Sequence, residues 1–131
     1  MTKVTEIPYV MFYNTIKQRK QYIEKKGKNS MVKHFNEQDF QNEVLDKEGV
    51  VLVDFYADWC GPCKMLGPVI EGIAEEKTDA VIGKVNVDDN GDLAARYNVM
   101  SIPTLIVFKD GKEVNRMVGL QSKAKILEAL N

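Results

Sequence analysis

An α/β fold, a mixed sheet with helices on both faces, is the class this sequence predicts, and three observations carry it. Strand-like and helix-like stretches alternate from residue 31 onward, beginning βαβαβα and ending ββα. Residues 50–56, "VVLVDFY", are almost continuously apolar, as expected of a strand covered on both sides. The segment "TLIVFKDGKEVNRMV" reads as a hairpin turned at Asp110-Gly111, the pair that a tight primed turn prefers.

Taken in order, "MVKHF" forms a first strand, and "NEQDFQNEVL" a helix. Asn36 caps that helix, Asp39 sits three residues on, and Phe40, Val44 and Leu45 recur at helical spacing. After the strand at 50–56 comes a helix from about Cys60 to Lys77, with Leu66, Val69, Ile70, Ile73 and Ala74 on one face. Pro68 should kink it, because proline removes a donor and crowds the preceding turn. "AVIGKVNVD" is the next strand and "NGDLAARYNV" a short helix. Beyond the hairpin, "SKAKILEALN" closes the chain as an amphipathic helix.

The 131 residues suit one core, and 44% hydrophobic with 28% charged residues is ordinary for a globular chain. A net charge of −1 hides an uneven split: residues 1–30 hold seven basic and two acidic groups, whereas residues 31–131 hold eleven and seventeen. Such a break divides a basic N-terminal extension, 1–30, from a body, 31–131. Three readings of the extension stay open. It is a partly ordered arm, an amphipathic segment drawn to acidic lipid or a partner through Tyr9, Phe12, Tyr13, Ile16 and Ile23, or a translated leader ahead of a natural start at Met31.

No stretch reaches the roughly 20 apolar residues of a membrane-spanning helix. "IPYVMFY" near the start has its charges after it, the reverse of a secretory signal. Two cysteines in a chain without such a signal favour redox or metal chemistry over a disulfide scaffold, and a cytoplasmic location follows. Nucleic acid is not an expected partner.

Both cysteines lie in Cys60-Gly61-Pro62-Cys63, where a buried strand gives way to a helix. The first amides of a helix lack intrahelical partners and its dipole favours an anion there, so a thiolate is stabilised at Cys60 and its thiol should be more acidic than a free one. Cys63, one turn in, should be the more buried. The roles follow: Cys60 attacks an external disulfide, and Cys63 resolves the mixed disulfide. Resolution needs a proton acceptor, and Asp54, a lone carboxylate in an apolar strand, is the candidate, since burial raises its pKa toward neutrality. Lys84, on the neighbouring strand, is its expected partner. A structural zinc site would need four ligands, and the chain offers two cysteines and the single His34, which reads as an ordinary strand residue.

"WCGPCK", preceded by "VDFYAD" and followed about forty residues later by "SIPT", resembles the thioredoxin family over 31–131. The resemblance implies the thioredoxin fold: a central five-stranded mixed sheet flanked by four helices. It makes Pro103 a cis-proline facing the cysteines, with the Ile102 backbone pairing an extended substrate. Trp59, Gly61, Pro62, Ile102, Val118 and Gly119 match the flat contact surface around the sulfur. A general protein-disulfide reductase is implied, with no bound prosthetic group and no metal, monomeric, recharged by a thioredoxin reductase drawing on NADPH or ferredoxin. Implied clients are ribonucleotide reductase, peroxiredoxin and methionine sulfoxide reductase. Tyr56 departs from the family's frequent tryptophan. A docking module with incidental thiols, and a reductase with one dedicated client, are the alternatives.

Overall fold

The computed structural model describes residues 31–131, so the three readings of the N-terminal extension lie outside the described residues. Strands β1 (Lys33–His34), β2 (Val50–Tyr56), β3 (Ala80–Asn86), β4 (Thr104–Lys109) and β5 (Lys112–Val118) form one sheet in the order β1-β3-β2-β4-β5. β1, β3 and β2 run parallel, whereas β4 and β5 are antiparallel to their neighbours. Four helical segments complete the expected set: α1 (Gln41–Leu45), α2 (Gly61–Glu76), α3 (Gly91–Arg96) and α4 (Lys123–Ala129).

Alternation along β2 explains its unbroken apolar sequence, because successive side chains leave opposite faces of the sheet. Leu52 joins Ile82, Leu105 and Val107 in an aliphatic core covered by Leu66, Ile70 and Ile73 of α2 and Ile126 of α4. Val51, Val53 and Phe55 face the other way, into a core with Phe35, Phe40, Val44, Leu93 and Phe108 beneath α1 and α3. Phe40 meets Phe35, Tyr97 and Phe108 at ring-centroid distances of 6.3, 5.5 and 5.9 Å. Asp54, two residues after Leu52, therefore points to the aliphatic side, under α2.

Local chemistry sets the ends. Asn36 Oδ1 accepts from the Asp39 amide at 2.9 Å and Asp39 Oδ1 from the Asn36 amide at 2.8 Å, a reciprocal cap. That cap turns the chain away after two paired residues, so "MVKHF" makes a shorter edge strand than its sequence predicts. α1 itself is a single wide turn, closed by the Asp46 amide on the Gln41 carbonyl five residues back at 2.8 Å. α2 continues through Pro68 as one 16-residue helix. Asp110 and Gly111 both take positive φ, 51° and 83°, as a primed hairpin turn requires. Between β4 and β5 the register shifts by one residue, leaving Val114 as the extra residue of a bulge. The bulge puts Glu113 and Arg116, three apart, on one side of the strand, where Arg116 Nε meets Glu113 Oε2 at 2.8 Å.

Candidate active site

The site begins where β2 ends. The Cys60 amide donates to the Ala57 carbonyl at 3.2 Å, closing a turn that delivers Cys60 to the N-cap of α2 in an extended conformation. From there Cys60 Sγ accepts the Cys63 amide N–H at 3.2 Å. This is an N-cap bond with sulfur in place of the usual oxygen. Pro62, in the first turn, has no N–H to leave unsatisfied. The sulfurs of Cys60 and Cys63 are bonded to each other, with Cα atoms 5.2 Å apart.

Both cysteines are 4% exposed, so the expected contrast in their burial is absent. The reason is a lid of neighbours that chain spacing did not reveal: Ala57, with Tyr56, Val87 and Ile102 packed around the pair. Ile102 arrives through a cis bond to Pro103, and its carbonyl oxygen lies 3.8 Å from Cys60 Sγ. Thr104 Oγ1 donates to the Ser101 carbonyl at 2.6 Å, and the Gly119 amide donates to the Pro103 carbonyl at 2.8 Å. Gly119 does so at φ 90°, a conformation that favours glycine. Val118, exposed, pairs in register with Thr104. Thus the start of α2, with Gly61 and Pro62, and Ile102 meet at the cysteine pair, and the end of β5, with Val118 and Gly119, joins the Pro103–Thr104 turn next to it.

Trp59 is 70% exposed and held by its Nε1–H donating to Asp88 Oδ2 at 2.9 Å. Beside it runs a shallow groove of about 200 Å³ lined by Trp59, Val87, Val99, Met100, Ser101 and Ile102. Met100, 91% exposed, and Asp88 were not identified from sequence. Met100 stands three residues before Pro103, which was the available signal; its exposure was not.

Asp54 is fully buried, and neither carboxylate oxygen has a hydrogen-bond partner. Burial pushes its pKa from 3.8 up to about 7, against the lowering pull of the Lys84 charge. Lys84 pairs with Asp54 in the β2–β3 register, yet its ammonium sits 4.2 Å from the Tyr56 ring centroid. It acts on Asp54 through its field, not through a hydrogen bond. The same ring receives the edge of His34 at 6.5 Å. Among the described residues no group of three or more His, Cys, Asp or Glu side chains is placed to hold a metal ion, and no helix is long and apolar enough to cross a membrane.

Comparison with known proteins agrees with this geometry. The family model described as Thioredoxin matches residues 31–131. A thioredoxin of Chlamydia caviae is 50% identical over 101 residues, covering 77% of this chain and 97% of the relative. One of Staphylococcus aureus is 53% identical over 94 residues, covering 71% and 88%. Among solved structures, an N21Q mutant thioredoxin from Halobacterium salinarum superposes with a TM-score of 0.70 at 45% identity, covering 75% of this chain and 86% of that one.

Proposed function

The chain belongs to the thioredoxin family, and from that premise we propose how its protein-disulfide oxidoreductase chemistry is divided between residues. Thiol–disulfide exchange runs through the Cys60–Cys63 pair. The observation that carries the division is the Cys63 amide directed at Cys60 Sγ from the first turn of α2. An N–H and the positive end of a helix favour a thiolate at Cys60 over one at Cys63, which lies past that end. Cys60 is the nucleophile. Its sulfur attacks one sulfur of a client disulfide, forming a mixed disulfide and releasing the other client sulfur as a thiolate.

Cys63 then loses a proton and attacks Cys60 Sγ. The Cys60–client bond breaks, the client leaves with two thiols, and the pair is left as the disulfide. Two electrons have moved from the pair to the client. Asp54 receives the Cys63 proton, supported by its place beneath α2 and a pKa brought to about 7, where it holds a proton or yields it at little cost. Lys84 keeps that carboxyl from rising further. An extended client segment lies along the Ile102 backbone beside cis-Pro103, on the surface made by Trp59, Gly61, Pro62, Val118 and Gly119.

The net direction is reduction: no histidine stands between the cysteines to stabilise the thiolate further and make the pair more oxidising. Electrons come from a thioredoxin reductase, and clients include oxidised enzymes of the ribonucleotide reductase, peroxiredoxin and methionine sulfoxide reductase kinds. The protein works as a monomer in the reducing cytoplasm, where a chain with two cysteines keeps them as thiols between turnovers.

Insulin-disulfide reduction tests the roles. Cys60→Ser should abolish it, while Cys63→Ser should stall with client covalently trapped on Cys60. A Cys63→Ser protein that turns over at the wild-type rate, or one trapped through another residue, overturns the assignment.

A further inference from the structure

The exchange reading leaves open which client segments the site prefers, and the inference drawn here rests on that reading. Two features adjoin Cys60. One is the apolar groove of Trp59, Val87, Val99, Met100 and Ile102. The other is a rim of exposed carboxylates on the Trp59 side. Asp58 precedes Trp59 in the chain, Asp88 binds its indole, and Asp89 follows in the same turn.

That turn is fixed. The Asp88 amide donates to Asn86 Oδ1 at 2.9 Å, and the Asp89 amide to the Asn86 carbonyl at 3.2 Å. These bonds hold the 86–89 backbone, and the Trp59 indole holds the Asp88 carboxylate. Two of the three carboxylates act on one ring: after burial itself, Asp58 is the strongest influence raising the Tyr56 phenol above its ordinary range and Asp89 adds to it, against the lowering hydrogen bond of Asn86. Lys84 is folded onto the Tyr56 ring and the exposed Lys64 lies on α2, two basic groups against three carboxylates.

We propose that this groove selects an extended client segment in which a bulky apolar side chain accompanies the disulfide cysteine and a lysine or arginine lies beyond it. The apolar side chain enters between Trp59 and Met100. Methionine suits that role because an unbranched, polarisable chain adapts to differing shapes. The basic group meets the rim of Asp58, Asp88 and Asp89. Charges at the edge of an interface act mainly on encounter, so the preference belongs to the second-order rate and weakens with salt.

The experiment uses the reduced full-length protein and three peptides, each closed by one intramolecular disulfide with leucine beside a cysteine. They differ only in two flanking residues: Lys-Lys, Gln-Gln or Glu-Glu. At low ionic strength the rate constants should fall in that order, with about a fivefold spread that closes at roughly 0.5 M salt. The Asp58→Asn/Asp89→Asn double variant should narrow the spread toward one. Replacing leucine by glycine should slow the wild type more than it slows Met100→Gln. Equal rates for all three peptides at low salt, with each still reduced, would sink the charge selection and leave the exchange reading standing. So would a full spread in the double variant. Failure to reduce any peptide would remove both.

Discussion

The two faces of the sheet are built to different ends. Beneath α1 and α3 lies an interlocked set of rings: Phe40 touches three others, and the buried polar residues of that side, Asn90 and Thr104, are hydrogen-bonded. Beneath α2 and α4 lies an aliphatic core whose sheet face also carries Asp54, sealed from water with no hydrogen bond. An unpaired buried carboxyl costs free energy. The molecule places that cost on the side where the reactive helix packs, and keeps the opposite side free of it. On the role proposed for Asp54, both faces carry a core and one of them also carries the proton acceptor.

The largest expected effect comes from breaking the aromatic side. Phe40→Ala should cost about 3–5 kcal/mol in denaturant unfolding, since it deletes a ring at the centre of three contacts. Its rate of disulfide exchange should stay within about twofold while the variant remains folded, because the energetic loss lies on the other face.

Asp54→Asn should act in the opposite sense. The native state of the wild type resists ionising Asp54, whose pKa is raised from 3.8 to about 7. Stability from this group is therefore fully present below about pH 4 and is lost as pH rises through about 7. An asparagine does not ionise, so unfolding of the oxidised variant should gain on the wild type between pH 4 and 8. A shift of that size corresponds to roughly 4 kcal/mol as an upper figure. The resolving step should slow by on the order of 100-fold and lose its inflection near pH 7, read from decay of the mixed disulfide. A variant with an unchanged pH profile would put the proton elsewhere.

Gly83→Ala tests how tightly the aromatic side is closed. A Cβ there would overlap the Phe35 ring, and about 1–3 kcal/mol should be lost in thermal or chemical unfolding. Glu43→Gln is the smallest change. Its ion pair with Lys33, 3.2 Å long, is exposed, and its removal should shift stability by less than about 0.5 kcal/mol.

Much of this division was legible in the sequence, because local rules govern it. A charge inside "VVLVDFY" marks Asp54 as buried, and the alternation of that strand sends it to the side of Leu52. The start of α2 could be placed because Cys60 and Pro62 satisfy N-terminal rules within one turn. What escaped depends on contacts between distant segments. The cover over both cysteines comes from Val87 and Ile102, brought in by β3 and by the turn at Pro103. Lys84 was expected beside Asp54 only because it lies on the neighbouring strand; the two are Cα partners in the β2–β3 register, but the ammonium finds the Tyr56 ring, a choice made by side-chain reach. Asp88 was missed because its bond to Trp59 spans 29 positions.

The bulge at Val114 has a consequence of another kind. An outermost strand offers unpaired amides and carbonyls on which a second molecule can continue the sheet, the first step toward fibrous aggregates. In β5 the inserted residue breaks the even spacing such growth requires, and Lys112, Glu113 and Arg116 make the edge charged rather than apolar. One irregular residue thus makes the outer edge of this sheet a poor template for a further strand.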